Sequence, residues 1–182
     1  ITGGTGLIGS HLLYKLLSEN ETLEVRAIKR QKSSLENVKK IFSYYTVDID
    51  KLFNRIEWVN ADILDYYELY EVFNNVHKVY HCAGIVSYNQ FQKDLIYKVN
   101  VLGTKNVVDC CLEREIEKLV HVSSIASLGI PDKGNIITED SKLSIDEDST
   151  IYSKCKFLGE LEVWRGIEEG LNAVIVNPSV VL

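Results

Sequence analysis

Thr2-Gly3-Gly4-Thr5-Gly6-Leu7-Ile8-Gly9 opens the chain, directly after the apolar Ile1 and directly before a helix-like run from Leu7 to Ser18. Gly4, Gly6 and Gly9 fit the Gly-x-Gly-x-x-Gly fingerprint, and Gly3, Gly6 and Gly9 fit Gly-x-x-Gly-x-x-Gly. At a strand end that starts a helix, such glycines permit a tight turn and leave backbone N–H groups facing a pyrophosphate. Gly3, Gly6, Leu7, Ile8 and Gly9 are therefore candidate cofactor-binding positions. The bland alternative is a turn that only packs helix on strand, and the first βα junction of an alternating chain argues against it.

That alternation runs outward from the motif. Strand-like runs at Leu23 to Ile28, Ile56 to Val59, Lys78 to Cys82, Lys118 to Val122 and Ala173 to Val176 are separated by helix-like segments. These segments cover Leu7 to Ser18, Leu35 to Tyr44, Tyr66 to Phe73, Leu95 to Arg114 and Tyr152 to Glu169, with Gly170 as a stop. Repeated βαβ units predict an α/β fold, a doubly wound parallel sheet of the Rossmann type, with residues 1–182 as one dinucleotide-binding domain. Residues 45–55 read as a short insertion and residues 129–149 as a polar loop beside the sheet. Both ends are abrupt, so the chain reads as a fragment truncated at both ends.

Composition narrows the field. A net charge of -6 with mixed signs gives no basic stripe for nucleic acid and no polybasic segment for anionic lipid. No apolar stretch is long enough to span a membrane, and a soluble cytoplasmic protein is the expectation. Cys82, Cys110, Cys111 and Cys155 lack C-x-x-C spacing and histidine partners, so neither a metal site nor a disulfide framework is predicted, only reduced, mostly buried thiols.

At the end of the second strand, where a carboxylate usually meets a ribose 2′-hydroxyl, the chain reads Lys29-Arg30-Gln31-Lys32. Cations there suit a 2′-phosphate, which favours NADP over NAD, with a solvated basic loop as the alternative. Asn60-Ala61-Asp62-Ile63 borders the adenine position, Asp62 offering an acceptor, and the small Cys82-Ala83-Gly84 turn lets a ribose approach the backbone. His81 and Cys82 read as core packing; His11, His77 and His121 read as structural.

Tyr152 and Lys156 stand at i and i+4, on one face of a helix. A phenol of reference pKa about 10 exchanges protons near neutrality only if cations stabilise its phenolate, as Lys156 and an oxidised nicotinamide would. Y-x-x-x-K alone is common, but Val122-Ser123-Ser124 at the preceding strand end adds a hydroxyl for the substrate oxygen. Side-chain alternation leaves one serine facing the site, and Ser123 is the weaker choice.

Together these elements closely resemble the NAD(P)-dependent epimerase/dehydratase family, the extended short-chain dehydrogenases, over nearly the whole chain. The resemblance implies a catalytic set of Ser124, Tyr152 and Lys156, with Asn100 near the cofactor and bending its helix to shape a proton path. It implies that Asn177, Pro178 and Val180 pass the nicotinamide, although the family usually has Arg-Pro where this chain has Asn177-Pro178. It further implies that most of the C-terminal substrate lobe lies outside the chain, and that a homodimer forms through the helices at Leu95 to Arg114 and Tyr152 to Glu169.

Dehydratases of the family carry Asp-Glu after the catalytic hydroxyl residue; Ile125-Ala126 stands here, which disfavours water elimination. Leu128-Gly129 is similar to the dihydroflavonol-reductase-like and 3β-hydroxysteroid-dehydrogenase-like branches. The implied activity is NAD(P)-dependent hydride transfer between nicotinamide and a carbonyl or secondary alcohol. Two alternatives stand beside it: a nucleotide-sugar epimerase with tightly bound NAD, and a non-catalytic dinucleotide sensor or scaffold.

Overall fold

Short runs rich in β-branched residues form the strands, and the amphipathic runs between them form helices that cover the sheet. The computed structural model describes residues 1–182 except positions 88, 130–135, 140, 142–148 and 182 and the side chain at 90. Most of the polar loop read at 129–149 thus lies outside the described residues. In chain order the elements are α1 (Leu7–Glu19), β1 (Val25–Lys29), α2 (Glu36–Ser43), α3 (Ile49–Phe53), β2 (Ile56–Asn60), α4 (Tyr66–Val72) and β3 (Lys78–His81). They continue with α5 (Lys93–Tyr97), α6 (Gly103–Glu113), β4 (Lys118–Val122), α7 (Ile151–Glu168) and β5 (Ala173–Val176).

β1 pairs with β2, and β3 with β4 with β5, all in parallel. Ile1 and Thr2 join the two groups: Ile28 N donates to Ile1 O at 2.9 Å, Thr2 N to Tyr80 O at 3.0 Å and Cys82 N to Thr2 O at 3.2 Å. Across the sheet the order is β2, β1, the Ile1-Thr2 strip, β3, β4, β5. Connections run one way from the strip through β1 and the other way through β3, so the glycine turn sits where the order reverses, the place at which open parallel sheets bind ligands.

Alternation along the strands divides the core between two faces. Leu13 and Leu17 of α1 and Val38 and Phe42 of α2 pack on Val25, Ala27 and Ile56. On the opposite face Leu69 of α4, Val107 and Val108 of α6 and Val163 of α7 pack on Ile28, Val79 and Leu119. Each fully buried aliphatic side chain contributes about 2 kcal/mol, so removal of either helical layer would unfold the sheet. The insertion at 45–55 forms the short α3, whose Phe53 ring meets Phe42 edge-on at 6.3 Å.

The helix expected from Leu95 to Arg114 runs unbroken from Lys93 to Glu113, with α5 and α6 joined by a wider π-turn at Lys98–Leu102. The cause lies elsewhere in the chain. A Cβ on Gly159 of α7 would stand 2.4 Å from Asn100 O, so α7 crosses at backbone contact and the wider turn accommodates it. α7 itself starts with Thr150 Oγ1 accepting from Ser153 N at 3.1 Å.

Candidate active site

Among the cavities on the described residues, two bear on the site. The larger, about 1020 Å³, lies between β1 and β3 and is lined by none of the motif residues. The smaller, about 190 Å³, lies at the carboxyl ends of β1, β2 and β3 and gathers Gly3, Gly6, Lys29, Arg30, Asp62, Ile63, Cys82, Ala83 and Gly84. The motif residues converge on the smaller cleft, which is the candidate site.

The glycine turn is built for close approach. Gly3 has φ +66°, and a Cβ there would stand 2.5 Å from Ala83 N; a Cβ on Gly9 would stand 2.2 Å from Gly3 O. Gly6 N donates to Gly3 O at 2.9 Å, and among the described residues no side chain caps the start of α1. No acidic residue occupies its first turn, at Leu7, Ile8 and Gly9, so the positive end of the helix faces the cleft unopposed. The residues present fit a dinucleotide pyrophosphate.

On the β1 side Lys29 Nζ donates to Asn60 Oδ1 at 2.7 Å, which sets the ammonium over the end of β2. Arg30 is exposed, and Ser33 N closes a turn onto Arg30 O at 2.9 Å. Ser33, Thr5, Ile85 and Val99 also line the cleft, although the sequence reading did not single them out. Thr5 lies inside the glycine motif and Ser33 ends the basic stretch, so both were findable; Ile85 and Val99 carried no sequence signal. Lys32 is exposed and outside the lining. Asp62 Oδ1 accepts from Leu64 N at 3.0 Å, which fixes the turn after β2.

On the β4 side, successive turns of α7 are stitched to the segment 122–127. Ser153 Oγ donates to Ala126 O, Lys156 Nζ to Val122 O at 2.9 Å, and Ser127 Oγ to the Glu160 carboxylate. Asn177, just after β5, completes the knot: its amide donates to Glu160 Oε1 at 2.6 Å, Ser127 Oγ at 3.0 Å and Ser124 O at 3.1 Å. Its side chain therefore faces the protein rather than the cleft. Pro178 O accepts from Ile125 N at 3.1 Å, and Val180 is exposed.

Within this frame Ser123 is buried, with its hydroxyl 3.2 Å from that of Ser127, while Ser124 is half-buried. Ser124 Oγ accepts from Ala126 N at 3.1 Å, so its hydrogen is directed elsewhere. Tyr152 is buried one turn before Lys156. Burial lowers the Lys156 ammonium to about 8 against an upward pull from Glu160 and Cys82. Asn100 is buried in the π-turn, its side chain clasping the backbone of Ile85.

All four cysteines are free; burial pushes Cys82 up to about 11 and Cys110 to about 12, which keeps both as inert thiols. Among the described residues no cluster of three metal-ligating side chains occurs, and no helix is long and apolar enough to cross a membrane.

Fold and cleft together define a Rossmann dinucleotide-binding domain of the extended short-chain dehydrogenase type. The male sterility protein family, a family of NAD-binding domains, matches residues 1–182, and the chain belongs to it. A dihydroflavonol 4-reductase-like protein of Synechocystis sp. is 30% identical over 179 residues, 98% of this chain and 48% of its own length. The 3β-hydroxysteroid dehydrogenase/Δ5→4-isomerase of monkeypox virus is 27% identical over 179 residues, 97% of this chain and 47% of its own length. Among solved structures, the dTDP-glucose 4,6-dehydratase of Streptomyces venezuelae with NAD bound superposes with a TM-score of 0.78 at 26% identity, over 96% of this chain and 53% of that one. The chain thus spans about half the length of the relatives it matches.

Proposed function

We propose that this domain serves an NADP(H)-dependent oxidoreductase that moves hydride between nicotinamide and a carbonyl or secondary alcohol. The observation that carries the reading is the Ser124 hydroxyl. With one lone pair taken by Ala126 N, it has a hydrogen to give to a substrate oxygen at the end of β4, and the α7 seam holds the Tyr152 helix against that segment.

The nicotinamide cofactor supplies the hydride acceptor or donor. The chain's own residues do the rest. Tyr152 exchanges the proton with the substrate oxygen, Ser124 orients that oxygen, and the Lys156 ammonium stabilises the phenolate and meets the ribose. The first turn of α1 holds the pyrophosphate, and Arg30 with Lys29 and Ser33 receives a 2′-phosphate. Ile125 and Ala126 offer no acid/base pair for water elimination, which sets the reaction apart from that of the dehydratase named above.

Fluorescence titration of the full-length protein with NADPH and NADH, followed by a panel of aldehydes, ketones and nucleotide sugars, tests the reading. Tighter NADPH binding and oxidation of NADPH by a carbonyl are expected. Protein purifying with stoichiometric NAD and consuming no added cofactor would instead be an epimerase. Binding without any turnover would make it a sensor.

A further inference from the structure

His81 and Thr104 are completely buried, at 0% and 1% exposure, and neither lines the cleft. Because a carbonyl oxygen can only accept, the network assigns one sense to their hydrogen bonds. The Thr104 hydroxyl gives its only hydrogen to Asn100 O at 2.9 Å, so its 3.0 Å contact with His81 Nε2 requires a proton on that nitrogen. In the neutral ring Nδ1 is then an acceptor, and Thr2 Oγ1 donates to it at 2.7 Å. Thr2 Oγ1 in turn accepts from Ala83 N at 3.2 Å. At the far end Asn100 Oδ1 accepts from Ile85 N at 2.8 Å, and Asn100 Nδ2 donates to Ile85 O at 2.9 Å. The path leaves the cleft wall at Ala83 and returns to it at Ile85, two residues on.

Burial alone does not account for this wiring. His121 stands in register with His81 on β4, equally buried with ring centroids 5.1 Å apart, and among the described residues neither of its nitrogens has a hydrogen-bond partner. Of two neighbouring imidazoles in the same layer, the one joined to both the glycine turn and the π-turn is the one beside the cleft segment.

We propose that His81 is a positioning residue for dinucleotide binding: through Thr2 on one side and Thr104 with Asn100 on the other, it fixes both ends of the Ala83–Ile85 wall. The inference rests on the cleft being the dinucleotide site. It assigns His81 and Thr104 no contact with the cofactor, only control over the wall that the cofactor meets.

The test uses full-length protein carrying Thr104→Val, Thr104→Ser or Thr2→Val. Removal of the Thr104 hydroxyl at constant volume should raise the Kd for NADPH and NADH alike by about tenfold, with kcat at saturating cofactor within about twofold, whereas Thr104→Ser should bind as wild type does. Amide exchange without nucleotide should quicken at Ile85 in Thr104→Val and at Ala83 in Thr2→Val, while Leu119 and Val120 in β4 stay protected. The inference is overturned if Thr104→Val binds both nucleotides as tightly as wild type, or if exchange quickens equally at Leu119. A wild-type protein that binds neither nucleotide would instead remove the functional reading, and the exchange pattern would still show whether the wall is wired.

Discussion

On the β1 wall of the cleft, the groups placed to meet a nucleotide lie on a surface turn: Arg30 is exposed, and Lys29 is steadied by one bond to Asn60. On the β4 side, beyond the cleft lining, Ser124, Tyr152 and Lys156 stand among side chains that bond one another, buried Glu160 to half-buried Asn177 and buried Ser127, and behind the β3 wall buried His81 bonds buried Thr104. Charged side chains in water are changed at little cost to stability, whereas a buried polar network is strong only while every member is paired. On the proposed function, cofactor preference would be written where it can be altered one residue at a time, and the proton chemistry where it cannot.

The sharpest way to break that contrast is Tyr152→Phe. Turnover should fall by roughly a thousandfold or more with cofactor Kd unchanged to within about threefold, measured by steady-state kinetics and fluorescence titration. Activity within about tenfold of wild type would end the assignment of Tyr152.

Arg30→Ala should act only on the opposite wall. NADPH binding is expected to weaken by about tenfold or more, with NADH binding and thermal stability unchanged. Equal weakening of both nucleotides would mean that Arg30 serves adenine or structure rather than a 2′-phosphate.

Glu160→Gln probes the buried wall through pH. The carboxylate raises the Lys156 ammonium, which burial has brought to about 8, while Cys82 also raises it and His81 and His121 are held neutral. Loss of the carboxylate lowers the Lys156 value further, so the alkaline limb of kcat/KM should move to lower pH. A loss of several-fold at pH ~8 with recovery near pH ~6.5 is expected. A uniform loss at every pH would leave Glu160 as a purely structural knot.

The smallest effect belongs to His121→Leu. Removing two ring nitrogens that have no hydrogen-bond partner among the described residues should leave the melting temperature unchanged or raise it by about 2–4 °C at neutral pH, a result readable by thermal denaturation. Burial lowers the folded-state pKa of His121 well below 6.5. Its neutral form therefore supports the fold above the unfolded value, and that support is lost as pH falls through 6.5 towards the folded value. The gain from Leu should accordingly grow at pH ~5. A destabilised variant there would show that His121 has a partner in solution.

Much of this was legible in the sequence where the cause is local. The glycine spacing, the Tyr152/Lys156 interval and the apolar runs at Lys118–Val122 and Ala173–Val176 each contain their own explanation. What escaped was decided at a distance. The π-turn after Tyr97 meets Gly159 at backbone contact, the knot at Glu160 depends on Ser127 and Asn177, and the bonds of His81 depend on Thr2 and Thr104. Reading His81 as core packing captured its burial and missed its bonds, because one imidazole looks like another until its neighbours are known.

The π-turn at Lys98–Leu102 makes the chain sensitive to edits of length rather than of kind. Deleting one residue there would let α5 run into α6 as a regular helix, because the wide turn is what takes up the extra residue and α6 keeps its face without it. Val107 and Val108 would stay on the sheet, while Asn100, carried by the widened turn, would lose Ile85, although no surviving residue had been substituted. At the surface loop of residues 45–48 the same deletion would only shorten a connection. Among sequences descended from a common parent, gaps should gather in that loop and be absent from the π-turn.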